Sequence, residues 1–344
     1  MELLLTAKKL LRRILLALIA LIVVMLVCSL IGTQHISLKS VLAPAGRQNT
    51  INYDYEIFMH VRLPRVILAC IVGAALACSG VVFQSILRNP LADPYILGIS
   101  SGAGLGTIIA IISGFSWTLW GRSPIAIFAF IGALGTIWLV WFVGRFTGKS
   151  NVTGLLLAGV VVNAFFSAVI MFLTSVAKSQ QIYATIFWLM GNITEEDIFV
   201  LWIGAGFVIA GTIALFYISP QLNALSFGVD DARSMGINTV RTQLIAFAIA
   251  ALITSIAVCL SGLIGFVGLI VPHGVRLIFG PDHRQLLPLS GITGAIFLAV
   301  ADTLARTIVA PAQLPVGVVT AIVGGPFFLL LLIMYTRKVG WLNK

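Results

Sequence analysis

The sequence has few charged residues and no arrangement of residues that supports catalysis. Only 9% of its 344 residues are Asp, Glu, Lys or Arg, against about 25% in soluble globular domains. No Ser/His/Asp set and no pair of carboxylates lies within an apolar stretch, so the sequence gives little support to an enzyme. The histidines are scattered, and no metal site is predicted at His35, His60, His273 or His283.

Cysteine is also scarce, and a basic nucleic-acid-binding stripe is missing. The cysteines lie within apolar runs without metal-ligand spacing and are interpreted as small hydrophobic residues; they are Cys28, Cys70, Cys78 and Cys259. The formal net charge is +10, but no basic stripe with interleaved aromatic residues accompanies it. We therefore expect no nucleic-acid partner and attribute the charge to cytoplasmic loops.

A complete phosphate-binding loop is absent as well. The stretch "GRFTGKS", residues 144–150, has three residues between its glycines, whereas the phosphate-binding loop requires four. It also follows an apolar stretch of helical length instead of a strand. We therefore predict no cofactor bound by this chain and interpret Arg145 and Lys149 as cytoplasmic topology anchors.

Apolar residues, by contrast, make up 60% of the chain. A helix that crosses a membrane needs roughly 20 of them in succession, and such stretches recur along residues 1–344. The sequence therefore predicts a single all-α integral membrane domain with about ten transmembrane helices in the cell (cytoplasmic) membrane. The predicted spans are 14–31, 62–80, 93–112, 124–143, 152–174, 198–217, 242–260, 263–279, 287–308 and 316–335.

The distribution of basic residues predicts the orientation of these spans. With the N-terminus inside, 14 of the 21 Lys and Arg residues fall on the cytoplasmic side, so both termini are predicted to be cytoplasmic. Residues 61–80 and 240–262 both begin with Val-Arg, run apolar and end with Ser-Gly. This similarity predicts an inverted repeat of two five-helix halves; a chance likeness of two apolar helices is the alternative.

Two segments contain helix-breaking residues or polar groups. In residues 85–106, Asp93 is placed to cap a helix, and Gly98, Gly102 and Gly106 repeat every four residues. This spacing favours close helix packing over a ligand contact. Residues 222–243 form the one sizeable polar cytoplasmic loop, in which about two helical turns are predicted to present a surface to a soluble partner. An ordinary solvated connector is the alternative.

Charged residues near the predicted outer surface form a second group. Asp302 and Arg306 stand four residues apart, which predicts an ion pair on one helix face rather than a proton relay. Arg62, Arg65 and Arg306 are predicted to form a docking surface for acidic groups, with lipid head-group anchoring as the alternative. In the last span, the run Gly324, Gly325 and Pro326 is predicted to break the helix as a hinge or pathway wall, with helix packing as the alternative.

Several motifs taken together resemble a known family. They are "RLPR" (62–65), "RNPLADPYILGISSGAG" (88–104), "WLMGNI" (188–193), "LSFGVDDARSMGIN" (225–238), "GLIGFVGLIVPHGVR" (262–276) and "LPVGVVTAIVGGPFF" (314–328). In this order they resemble the permease subunits of the iron-chelate and vitamin B12 class of ABC importers, over residues 55–336. "SFG" stands where "ALG" is common in the family.

The resemblance implies a homodimer with its substrate path on the two-fold axis, two cytoplasmic ATPase subunits that bind ATP and Mg²⁺, and an extracytoplasmic binding protein. The binding protein would meet Arg62, Arg65 and Arg306, and Asn163 joins Gly324–Pro326 as a pathway candidate. The segment 222–240 would couple to the ATPase through Leu225, Phe227, Gly228, Asp230, Asp231, Ala232, Arg233, Met235 and Gly236.

The resemblance also implies the class of substrate. An iron(III) chelate, either a siderophore or haem, ranks first, with cobalamin as the alternative and molybdate a distant third. A rival of another class is an ion-coupled secondary transporter, which the inverted repeat and Asp302 suggest.

Overall fold

A computed structural model of the chain describes residues 6–41, 52–114, 124–146, 152–194 and 198–342. All regular structure in these ranges is helical. The α-helices are α1 (Ala7–Leu30), α2 (Leu38–Val41), α3 (Tyr53–Glu56), α4 (Leu63–Ile86), α5 (Ile99–Ser113), α6 (Pro124–Phe146), α7 (Val152–Val176), α8 (Ser179–Leu189), α9 (Ile198–Tyr217), α10 (Ser219–Phe227), α11 (Val229–Ser234), α12 (Thr239–Ser261), α13 (Val267–Phe279), α14 (His283–Thr307) and α15 (Val316–Leu342).

The predicted membrane spans coincide with apolar helices. Seven helices in the described ranges are long and apolar enough to cross a membrane, including Tyr53–Ile86, where a π-helical segment (Ile57–Arg62) joins α3 to α4. Three shorter apolar helices, α5, α13 and the Val316–Leu330 part of α15, coincide with the remaining predicted spans. The all-α membrane fold is thus confirmed. The side of the membrane on which the termini lie stays a prediction.

The structure contains local helices that the hydropathy pattern does not indicate. Helix α8 follows the fifth span, and its start is held by Gln181, whose Oε1 accepts from Lys178 N at 3.0 Å while its Nε2 donates to Ile111 O at 3.1 Å. The start of the predicted polar loop, at residue 222, lies within helix α10. Residues 147–150 of the "GRFTGKS" stretch lie outside the described residues.

Helix α4 lies at the centre of the bundle. In its most apolar 18-residue window 83% of the residues are buried, against 11% in α1, so α4 is a core helix whereas α1 is peripheral. It packs against α12, α13 and α14. The contacts with α13 and α14 are close because glycines meet there: a Cβ added at Gly73 would lie 2.2 Å from Gly294 O, and one added at Gly80 would lie 1.8 Å from Gly268 O.

Packing in the two halves follows the predicted repeat. Helix α4 of the first half packs on α13 and α14 of the second half, and α12 of the second half packs on α5 and α6 of the first. Each half thus places its second span against the third and fourth spans of the other half. Such an exchange is what a two-fold relation between the halves produces, and the inverted orientation of the repeat stays a prediction.

The glycine contacts generate a stability prediction. The substitution Gly80→Ala places a methyl group inside the contact distance of Gly268 O, so we expect it to lower the free energy of unfolding by about 1–3 kcal/mol. SDS-titrated unfolding of the purified protein in detergent measures this. Gly206→Ala on α9 is the matched control, since nothing lies within 4 Å of its added Cβ. Equal effects of the two substitutions would contradict the close approach of α4 and α13.

Candidate functional site

The predicted coupling segment folds as two short helices joined at Gly228. This glycine is extended between α10 and α11, and a Cβ added to it would lie 2.9 Å from Asp231 Oδ2. Asp230 and Asp231 occupy the first turn of α11, where negative charge complements the helix dipole. The helix ends at Gly236, whose φ of 80° suits glycine, with Ile237 N donating to Ala232 O at 3.1 Å.

The segment has a buried side and an exposed side. Leu225 and Ala232 are 1% and 0% exposed and hold the segment onto the bundle. Phe227 and Met235 are 76% and 64% exposed, although both are large and apolar. They flank the acidic turn of α11, in which Asp230 lies 3.4 Å from Arg233. This combination of exposed apolar and charged side chains is typical of a protein contact surface.

Hydrogen bonds attach α10 to the start of α14, and the start of α14 is in turn hydrogen-bonded to the end of α4. Asn223 Nδ2 donates to Asp282 Oδ1 at 2.9 Å, and Asn223 Oδ1 accepts from His283 N at 2.8 Å. The His283 ring, 3% exposed, is also hydrogen-bonded to Ser85 Oγ. A continuous set of hydrogen bonds thus runs from α10 through the start of α14 to the end of α4.

Asp282 is the N-cap of α14, since its side chain accepts from Arg284 N at 3.0 Å. Partial burial raises the pKa of Asp282, but hydrogen bonds from Arg284 and Asn223 outweigh this and bring the pKa to about 2. The cap is therefore ionised at neutral pH.

A buried ionic network joins the other ends of α4 and α14. Arg65 Nε lies 3.2 and 3.1 Å from the two Asp302 oxygens, and its Nη2 donates to Asp302 Oδ1 at 3.0 Å. Arg306 Nε lies 3.3 Å from Asp302 Oδ2, so the predicted ion pair is present. Asp302 is 0% exposed. Nothing in the sequence links Arg65 to this carboxylate, because 237 residues separate the two.

The three predicted docking arginines lie inside the chain. Arg62, Arg65 and Arg306 are 4%, 8% and 5% exposed. Arg62 donates to Leu30 O at 2.7 Å and to Gln34 O, and Arg306 donates to Cys28 O at 3.0 Å. These three arginines therefore do not form an open docking surface in this structure. Contact with an external partner stays a prediction that requires the network to open.

The predicted break in the last span is wrong. Helix α15 continues through Pro326, because a transmembrane helix tolerates the loss of one backbone N–H. Gly324 serves a contact instead, since an added Cβ would lie 2.4 Å from Phe266 Cγ. Nothing lies within 4 Å of a Cβ at Gly325, and Asn163 is half-buried on α7. Their place along a substrate pathway stays a prediction.

The glycines of α5 lie against α6. A Cβ at Gly102 would lie 1.7 Å from Thr136 Oγ1, and one at Gly106 would lie 2.0 Å from Phe128 O. Gly98 has a φ of 80° between a 3₁₀ turn and α5, and Asp93 caps that turn by accepting from Tyr95 N at 2.9 Å. In this structure the contacts of Gly102 and Gly106 are packing contacts within one chain.

Comparison with known proteins adds to this geometry. The model of the FecCD transport family matches residues 18–334. The Hemin transport system permease protein HmuU of Yersinia pestis is 41% identical over 288 residues, which cover 83% of this chain and 86% of that protein. The Cobalamin import system permease protein BtuC of Halobacterium salinarum is 42% identical over 272 residues, covering 79% and 72%.

A solved structure is also similar. It is an inward-facing conformation of a metal-chelate type ABC transporter, 30% identical, with a TM-score of 0.79 over 92% of this chain and 98% of that chain. The similarity therefore extends over nearly the whole bundle.

The buried network generates a second stability prediction. Asp302→Asn leaves two buried guanidinium groups without a counter-charge, so we expect a loss of about 3 kcal/mol or more in the free energy of unfolding. SDS-titrated unfolding of the purified protein measures it. Asp230→Asn is the control, because that side chain is 97% exposed, and we expect a change below about 1 kcal/mol. Unchanged stability of the Asp302 variant would contradict the network.

Proposed function

The chain belongs to the FecCD transport family, and from this premise we propose that it carries an iron(III) chelate, a siderophore or haem, across the cytoplasmic membrane. As an ABC importer permease it is a transport subunit. In the proposal ATP and Mg²⁺ are bound by two separate cytoplasmic ATPase subunits, and no cofactor resides in this chain.

One observation carries the proposed partnership: Phe227 and Met235 are exposed on either side of α11 while Leu225 and Ala232 are buried beneath it. Burying two large apolar side chains in a partner's cleft is favourable, whereas leaving them in water is not. Asp230 and Arg233, both largely exposed, would supply charge complementarity at the rim. The ATPase therefore docks on α11 in this proposal.

The hydrogen bonds of Asn223 give the docked ATPase a mechanical connection to the bundle. A displacement of α11 moves α10, and the bonds from Asn223 to Asp282 and His283 carry it to α14. Helix α4 follows α14, because their backbones touch and Arg65 is bound to Asp302 at the far end. ATP binding in the partners would thereby shift the chain between inward-open and outward-open states.

In this proposal the second copy of the chain packs against the exposed faces of α7 and α15. Both helices expose large apolar residues, with Leu157 and Phe165 61% and 62% exposed and Ile322 66% exposed. Asn163 lies between the two α7 residues in sequence, and Gly324, Gly325 and Pro326 follow Ile322. In the proposed homodimer these helices line the substrate path on the two-fold axis.

An extracytoplasmic binding protein completes the proposed complex. Arg65 and Arg306 share the buried carboxylate of Asp302, and the buried Arg62 binds the carbonyl oxygens of Leu30 and Gln34, so the three arginines carry more positive charge than this one carboxylate balances. Acidic groups of the binding protein would balance this excess. Because the guanidinium groups are buried, docking in this proposal is coupled to an opening of the network.

Cobalamin is the alternative substrate, since similar permeases are named for hemin and for cobalamin. Asp302 no longer favours an ion-coupled secondary transporter, because it is a structural ion-pair partner of two arginines and is 0% exposed.

Substitution on α11 tests the ATPase contact. We expect Phe227→Asp or Met235→Asp to weaken association with the ATPase subunit at least tenfold, as loss of an apolar anchor does, and to abolish uptake. Binding of the purified ATPase to the reconstituted permease measures it. Phe227→Leu and Met235→Leu are matched controls that keep the apolar surface. Normal association of the Asp variants would refute docking at this segment.

Uptake into vesicles tests the transport function. Vesicles containing the permease, its ATPase and the cognate binding protein should accumulate either a ⁵⁵Fe-siderophore or haem only with ATP, and an ionophore should have no effect. Accumulation of cobalamin alone would replace the iron chelate as substrate. Accumulation that needs no ATP and collapses with an ionophore would refute the importer.

A further inference from the structure

A polar cavity of about 240 Å³ opens at the end of the bundle that carries α10 and α11. Its polar lining comes from the end of α4, the loop after it, α10, α13 and the start of α14. The lining side chains include Gln84, Ser85, Arg88, Ser226, Arg276 and His283. No member of this lining is acidic, so the cavity has a positive character.

Arg88 and Arg276 supply this positive charge. Among the described residues, neither guanidinium group has a hydrogen bond or an ion pair with a carboxylate. The nearby carboxylate of Asp282 is not a partner for either guanidinium group, because it already binds Arg284 and Asn223. Arg88 is exposed and Arg276 is half-buried, so an anion bound between them would gain Coulomb attraction from both guanidinium groups.

The backbone at Arg88 is strained, because a residue other than glycine occupies a left-handed position. Arg88 has a φ of 46°, in the left-handed region where glycine is strongly preferred. Arg88 N donates to Ser85 O at 3.3 Å and Asn89 N donates to Gln84 O at 3.1 Å, the bonding pattern of a glycine-type helix end. The chain therefore accepts backbone strain to place a guanidinium at this cavity.

A structural role for Arg88 and Arg276 is the competing explanation, because cations are favourable near the ends of α4 and α13. The carbonyls at these ends already have partners, however. Gln84 O and Ser85 O accept backbone bonds, and Phe279 O accepts from Gln285 Nε2. These carbonyl groups therefore do not need hydrogen bonds from the two guanidinium groups.

The remaining lining suits an oxyanion that retains a proton. Ser226 contributes a hydroxyl group to the lining of the cavity. Gln84 is 2% exposed and its Oε1 has no partner among the described residues, while its Nε2 donates to Gly268 O and Leu269 O. A group with acceptor oxygens for arginine and one O–H for Gln84 satisfies both requirements. A phosphate with one protonated oxygen has this chemistry.

From these observations we propose that the cavity binds a phosphate-bearing anion, held between Arg88 and Arg276. The anion is either a phospholipid head group or a free phosphate. For a head group, Leu277 and Ile278, next to Arg276 in the chain and 68% and 74% exposed, would offer an apolar contact for the acyl chains. The bound anion would lock the end of α4 to α10 and α13, beside α11.

Thermal unfolding of the purified full-length protein tests the proposal. In neutral detergent with phosphatidylcholine, we titrate inorganic phosphate in one arm and phosphatidylglycerol in the other, at constant ionic strength. We expect one of the two to raise the Tm saturably. A rise with phosphate alone identifies the free anion, and a rise with phosphatidylglycerol alone identifies the head group.

Three variants separate binding from folding. Arg276→Gln should weaken the apparent affinity roughly tenfold or more, because it removes charge-assisted bonds. Arg88→Gly should do the same yet keep or raise the ligand-free Tm, since glycine relieves the strained φ; a lower ligand-free Tm would indicate a structural role and overturn the proposal. Arg241→Gln removes an exposed charge at the start of α12 and should leave the affinity unchanged.

Other outcomes would also overturn the proposal. One is the absence of a Tm rise with either probe, and another is an equal loss of affinity in the Arg241 variant, which would indicate general surface charge. If neither probe raises the Tm and Arg88→Gly abolishes binding of the ATPase subunit, the cavity receives an acidic group of a protein partner instead.

Discussion

The backbone contact between α4 and α14 is the constraint on which the rest of the structure depends. Gly73 and Gly294 let the two helices touch, and Gly80 does the same toward α13. Polar contacts then secure both ends of the pair, with Arg65 and Asp302 at one end and Ser85 and His283 at the other. Without a hydrophobic driving force in lipid, such close packing and buried polar bonds are what hold helices together.

In the proposed complex, this paired unit would let the ATPase at one end of the bundle affect the other end. Helix α4 has 24 residues and is about 36 Å long at a rise of about 1.5 Å per residue. Asn223 connects α10 to one end of the pair, and the arginine network lies at the other. A rigid element attached at both ends transmits displacement without a chain of small local rearrangements. In the proposed complex, the ATPase and the binding protein would therefore act on opposite ends of the same helices.

The sequence predicts the features that depend on local spacing. Apolar length predicts the spans, the four-residue spacing predicts the pair of Asp302 and Arg306, and glycine spacing anticipates the contact of Gly102 with α6. The sequence does not predict contacts between residues that are far apart in the chain. Hydropathy contains no signal that Arg65 meets Asp302, or that Arg88 and Arg276 share a cavity. Residue type alone also misleads, since arginines expected at the surface are buried and Pro326 does not end its helix.

The most direct test of rigid coupling is a pair of distances measured by pulsed EPR in the complex with its ATPase. Spin labels at Ser234→Cys and Ile308→Cys report on α11 and on the far end of α14, at two exposed positions. Three native cysteines, Cys28, Cys70 and Cys78, are buried, and Cys259→Ser removes the fourth. On ATP binding the account predicts an unchanged distance between the two labels within one chain, while the distance between the Ser234 positions of the two copies changes. A change within the chain and none between the copies would contradict it.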